Sequence, residues 1–151
     1  MAQILIVAHA PLASSLRAVA LHVYPDCGAQ LMAVDVLPGA SLAAVEEQLL
    51  QALQTSPLAG FEVLILVDVF GATPCNASLA AADGVRSRVV AGVNVPMLWR
   101  TLCYAEQPLD DLVNRAVAGA TQGVMPVSVP RRQNQQVPTV IHDQVQHHHQ
   151  Q

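Results

Sequence analysis

The stretch that most constrains the fold is residues 63–70, VLILVDVF. Its first five residues are all aliphatic, with no alternation of apolar and polar positions. A strand of that kind is buried on both faces, which is the habit of parallel sheets covered by helices. Residues 4–8 (ILIVA), 31–37 (LMAVDVL) and 88–93 (RVVAGV) read the same way. Between them lie segments with apolar positions at helical spacing. Residues 12–24 form one and stop at Pro25; residues 42–54 form the next, with Ser41 placed to cap it and Glu46 and Glu47 on its polar side. Thr73-Pro74 reads as a cap followed by proline at the first helical position of a third helix running to about residue 82. Pro96 opens a fourth, and residues 109–122 form a fifth. Turn signals at Pro38-Gly39, Pro57 and Gly60 separate them. Strands alternating with helices specify an α/β chain with an open, mostly parallel, doubly wound sheet. Right-handed crossovers reduce the possible strand orders to a few.

Composition narrows the class further. The 151 residues suit one domain and are 52% hydrophobic but only 12% charged, which excludes a disordered chain. No apolar run approaches the roughly 18 residues of a membrane span. The start, MAQILIV, lacks a basic leader, so no secretory signal is expected. Cys27, Cys75 and Cys103 form no Cys-x-x-Cys pair, which favours a reducing, cytoplasmic setting over a disulfide framework or zinc site. The net charge is −4, with seven basic residues, all arginine, and no lysine. A basic stripe for nucleic acid is therefore missing. Absence of lysine excludes a Walker A loop and Schiff-base chemistry, and with them the lysine-dependent receiver domains that this chain matches in size. Residues 131–151 are rich in glutamine and histidine, so a folded domain over 1–130 with a flexible tail is expected. Three consecutive histidines, 147–149, could hold a metal adventitiously, but no dedicated metal site is expected.

In an open α/β sheet ligands bind beyond the carboxyl ends of the strands, where the strand order reverses. His9 follows the first strand, and Asp68 ends the third, leading into Phe70-Gly71-Ala72-Thr73-Pro74. With the order 2-1-3-4, His9 and Asp68 face each other across that crevice. A carboxylate accepting Nδ1–H fixes the tautomer, leaves Nε2 free and stabilises a cationic imidazole. The loop after Asp68 offers backbone N–H groups at a helix N-terminus, where anionic oxygens bind. Gly71 lets the backbone come close, and Thr73 adds a hydroxyl. A nucleophilic histidine beside an anion cradle points to phosphoryl transfer through a phosphohistidine.

Two rival readings compete with it. Cys75, just inside a helix N-terminus, could be the nucleophile of a thiol hydrolase with His9 as base. The Cys-x5-Arg loop of small phosphatases is missing, since Ala81 stands six residues on, and a packing role is the plainer reading. Alternatively the chain is a non-catalytic, flavodoxin-like binding or regulatory module, though no GxGxxG follows the first strand. Of the remaining candidates, Asp35 reads as a turn residue before Pro38-Gly39. Met97 and Trp99 read as core or dimer contacts, Cys27 and Cys103 as core or semi-buried, and His22 as incidental.

Three segments carry a family resemblance: ILIVAHAPLASSL, LVDVFGATPCNAS and VVAGVNVPML. Together they resemble the IIA domain of the mannose-type (mannose/fructose/sorbose) sugar phosphotransferase system, over about residues 3–125. The specific marks are an Asp followed by a Gly-x-[Ser/Thr]-Pro-x-Asn turn, then Gly-Val-Asn-x-Pro-Met. The resemblance implies strand order 2-1-3-4, with an antiparallel edge strand exchanged in a homodimer and placed here near residues 124–129. It implies His9 as the phosphorylated residue, Asp68 as its hydrogen-bonding carboxylate, and Gly71, Ala72 and Thr73 beside the phosphoryl group. It also implies the phosphocarrier protein HPr as donor, a IIB protein as acceptor and no cofactor, in sugar uptake or its regulation. No IIB segment follows here, so that partner is expected to be a separate protein. Family members have glycine after the active histidine; here Ala10 and Pro11 follow, and Pro11 has no N–H to donate.

Overall fold

The computed structural model describes residues 1–55 and 57–130. The expected Gln/His-rich tail, 131–151, lies outside the described residues. In chain order the elements are β1 (Gln3–His9), α1 (Leu12–Val23), a 3-10 helix (Pro25–Ala29), β2 (Leu31–Val36) and α2 (Leu42–Gln54). They continue with β3 (Val63–Val67), α3 (Thr73–Ala81), β4 (Ser87–Ala91), α4 (Val95–Cys103) and α5 (Leu109–Gln122).

The four strands form one parallel sheet in the order β2-β1-β3-β4. That is the expected open α/β architecture, with helices on both faces. The unbroken apolar runs follow from it. Ile4, Ile6, Ala8, Leu64 and Leu66 pack against α1, α4 and α5 through Leu16, Leu98 and Leu112. Leu5, Val7, Ile65 and Val67 pack on the other face against α2 and α3 through Val45, Leu49 and Ala77. Every residue from Ile4 to Ala8 and from Leu64 to Val67 is 1% exposed or less. Full burial of each large aliphatic side chain there contributes about 1.5–3 kcal/mol.

Local chemistry sets most helix ends. The Ser41 hydroxyl accepts from Ala44 N–H at the start of α2, as expected. The Asn94 side-chain oxygen, Oδ1, accepts from Met97 N–H at the start of α4. At α5, Gly119 and Gly123 allow contact with α4: a Cβ on Gly123 would stand 2.2 Å from the Pro96 Cβ.

Several expected boundaries shift. β3 ends at Val67, because Asp68 leaves the ladder to reach His9 while Gly92 N–H bonds both the Val67 and Asp68 carbonyls. β4 ends at Ala91, where Gly92 takes a φ of 89° and turns the chain away. At α3 the cap is Ala72, with no side-chain cap bond; Thr73 is the first helical residue and Pro74 the second. The expected edge strand near 124–129 pairs with no described residue of the chain. Val124, Met125, Val127 and Val129 in it are exposed.

Candidate active site

β1 and β3 are neighbours whose connections leave in opposite directions, so the crevice opens between their carboxyl ends. His9, the last residue of β1, stands at that opening with its side chain 55% exposed, while the Asp68 side chain is 12% exposed. A single oxygen, Asp68 Oδ2, meets both the His9 backbone N–H at 2.9 Å and His9 Nδ1 at 2.6 Å. The other oxygen, Oδ1, accepts from Val69 N–H at 2.8 Å. Burial pushes the Asp68 carboxyl up. The His9 backbone N–H and imidazole, the Val69 N–H and the attraction of His9 outweigh it and hold the group below the usual carboxylate range. An ionised carboxylate only accepts, so Nδ1 carries a proton, and in the neutral ring that leaves the lone pair on Nε2.

The structure brings Gly71, Ala72 and Thr73 to the same edge, at the N-terminus of α3. Gly71 has a φ of 85°, and nothing lies within 4 Å of where its Cβ would be. Glycine therefore serves the left-handed turn there, and crowding plays no part. Among the described residues, the N–H groups of Gly71, Ala72 and Thr73 make no well-formed hydrogen bond. These donors sit at the positive end of the α3 dipole.

The loop after His9 is poorer in donors. Ala10 N–H is bound to the Val36 carbonyl at 3.0 Å, and Pro11 has none. Ser14 N–H donates to Asp35 Oδ1 at 3.1 Å. Asp35 is thus a cap for α1 delivered across the sheet edge from β2, and not the turn residue its neighbours imply. Pro11, at the cap position of α1, makes no side-chain cap bond. Asn76, the last residue of the Gly-x-[Ser/Thr]-Pro-x-Asn turn, closes it: its Nδ2 donates to the Gly71 carbonyl at 3.3 Å and ties the turn to α3.

Cys75 is 1% exposed and packed among Val67 and Ala77, so no substrate reaches its sulfur without opening the core. That removes the thiol-hydrolase reading. Cys27 is buried, as expected, and burial pushes its thiol up. Cys103 is exposed, against expectation, with its sulfur 3.6 Å from the Tyr24 hydroxyl. Met97 is core, and Trp99 is half-buried edge-on to Tyr24. Among the described residues, no group of three or more His, Cys, Asp or Glu side chains could hold a metal. No helix among them is long and apolar enough to cross a membrane.

The family model described as the PTS system fructose IIA component, EIIA-man, matches residues 3–117. The chain belongs to this family. It is 39% identical over 94 residues to the PTS system fructose-specific EIIA component of Bacillus subtilis (strain 168). That match covers 61% of this chain and 64% of the relative. It is 43% identical over 65 residues to the PTS system mannose-specific EIIAB component of Escherichia coli (strain K12), covering 41% of this chain and 20% of that one. The chain thus spans less than two thirds of either relative's length. Among solved structures it is similar to the mannose/sorbose specific IIA subunit of the phosphotransferase system from Enterococcus faecalis. The TM-score is 0.77 at 20% identity, over 87% of this chain and 98% of that one, a likeness of fold. Membership of the IIA family agrees with the resemblance read from the three sequence segments.

Proposed function

We propose that this IIA protein is a phosphocarrier in which His9 Nε2 accepts a phosphoryl group from the phosphohistidine of HPr and passes it to a IIB partner. The 2.6 Å contact between His9 Nδ1 and Asp68 Oδ2 carries the reading. In the forward step the donor's N–P bond breaks as a new one forms to Nε2, and Nδ1 keeps its proton against Asp68 throughout. The carboxylate offsets the positive charge that develops on the imidazole. The free N–H groups of Gly71, Ala72 and Thr73 receive the phosphoryl oxygens, in the manner of an oxyanion hole. Donor and acceptor are both protein histidines, so the step calls for no cofactor.

Residues 1–130 act as the working domain in this reading, in the cytoplasm where HPr and IIB operate. The protein is a homodimer in which residues 124–129 of one copy cover an open sheet edge of the other. Four exposed apolar side chains in that segment support this. Sedimentation equilibrium at micromolar concentration tests it, and a clean monomer contradicts it.

The direct test of transfer is incubation with enzyme I, HPr and labelled phosphoenolpyruvate. Acid-labile, base-stable label on the protein is expected. Absence of label, or acid-stable label, contradicts the proposal.

A further inference from the structure

A groove of about 760 Å³ runs between α4 and α5 and holds none of the residues assigned to phosphoryl transfer. Pro96, Trp99, Arg100 and Cys103 line it from α4, on one face at helical spacing, with Tyr104 beyond them and Gly123 on the α5 side. Its one cation is Arg100. The sequence has seven arginines, two of them at 131 and 132. Four of the other five are engaged. Arg17 holds the Leu31 carbonyl and Arg86 the Phe61 carbonyl, Arg88 pairs with Asp110, and Arg115 meets Gln107 and the Tyr104 ring. Arg100 makes no hydrogen bond or ion pair among the described residues. Its stem packs against Gly119, where an added Cβ would stand 2.7 Å from the Arg100 Cβ. A half-buried guanidinium beside aromatic and apolar walls suits a carboxylate carried next to apolar side chains.

Residues 137–143, VPTVIHD, have that composition. Val137, Pro138, Val140 and Ile141 cluster within a stretch otherwise rich in glutamine and histidine, and Asp143 is the sole acidic residue after Asp111. Reach is assured by chain length. Gly123 itself lines the groove. Seven residues lead from it to Pro130 and seven more to Val137. Each leg spans up to about 25 Å, so the second can return over whatever distance the first covers. We propose that residues 137–143 dock in the α4–α5 groove of their own chain, with the aliphatic side chains against Pro96 and Trp99 and the Asp143 carboxylate on the Arg100 guanidinium. The proposal is independent of the phosphocarrier reading. A short tether acts at a roughly millimolar effective concentration, so an intrinsic affinity of that order fills the groove about half the time.

Trp99 is the only tryptophan in the sequence, so its fluorescence reports on the groove in the full chain. The test compares acrylamide quenching of Trp99 in the wild type, in Asp143→Arg and in the double variant Val140→Ser with Ile141→Ser. Acrylamide is neutral, so the charge change does not act on the quencher. All three positions lie outside residues 1–130, and the fold is checked by circular dichroism. Each tail variant is expected to raise the quenching constant by about twofold, as a groove filled about half the time becomes open to the quencher. Arg100→Asp should raise it likewise. Combining Arg100→Asp with Asp143→Arg should bring it back toward wild type, because the pair is restored with its charges exchanged. Equal quenching in the wild type and both tail variants overturns the proposal. Protection of the wild type that disappears on dilution assigns the groove to a second copy and overturns it as well.

Discussion

Asp68 Oδ2 accepts two hydrogen bonds from one residue, the backbone N–H of His9 at 2.9 Å and its Nδ1 at 2.6 Å. The carboxylate therefore orients the imidazole and ties the end of β1 to the end of β3. Its second oxygen, on Val69 N–H, stops the carboxylate from rotating.

Asp68→Asn replaces an acceptor-only group with one that has a single acceptor oxygen. Whichever way the amide lies, its NH2 faces a donor, either Val69 N–H or the His9 pair. An amide hydrogen toward Nδ1 favours the tautomer that protonates Nε2 and blocks the nucleophile. An Asp→Asn change in the His–Asp pair of a serine protease costs about 10⁴ in rate. Here a loss of roughly 10²–10³ is expected, because the α3 donors supply a separate share of stabilisation. Single-turnover transfer from phospho-HPr, with the fold checked by circular dichroism, measures it. A rate within about threefold of wild type would reduce Asp68 to a turn residue.

The depressed Asp68 carboxyl has a consequence for stability. A carboxyl whose folded value lies below its unfolded value, near 3.9, stabilises the fold fully above that unfolded value. The contribution disappears as pH falls through the folded value. The unfolding free-energy gap between wild type and Asp68→Asn should therefore narrow below about pH 4. Urea titrations from neutral to acid pH measure it, and a gap that widens there contradicts the linkage.

Asp35→Ala should destabilise the protein by about 0.5–2 kcal/mol, the usual loss of a helix cap, because Ser14 N–H loses its acceptor. Asp35→Asn keeps an acceptor oxygen and should lose less. Equal losses in the two variants, by chemical denaturation, would remove the capping role.

Gly123→Ala puts a methyl within 2.2 Å of the Pro96 Cβ and 3.0 Å of the Gly119 carbonyl oxygen. The backbone at Gly123 is ordinary, with a φ of −80°, so only packing opposes the change. Prising α5 from α4 should cost about 1–3 kcal/mol, the usual range for overpacking. A stability equal to wild type would mean the helices shift at no cost.

The sheet was legible because strands buried on both faces leave unbroken apolar runs, such as VLILV at 63–67. Helix bounds followed where caps are local, as at Ser41. The pairing of His9 with Asp68 could be placed because strand order alone brings the ends of β1 and β3 together. What spacing could not reveal is chemistry supplied from elsewhere in the chain. Asp35 precedes a Pro-Gly turn yet caps α1, twenty-one residues back. Cys75 stands at a helix start yet faces inward, because the first turn of α3 packs on β3. Phe70 continues an apolar run but lies outside the ladder, because Asp68 abandons strand pairing for His9.

The most direct test of the mechanism is the position of phosphorus on the imidazole. The phosphorylated, nitrogen-15-labelled protein is examined by nitrogen–phosphorus and long-range proton–nitrogen correlation NMR. With Nδ1–H held by Asp68, phosphorus should be bonded to Nε2 of His9, and the proton should remain on Nδ1. Phosphorus on Nδ1, or on any residue other than His9, would contradict the role assigned to the His9–Asp68 pair.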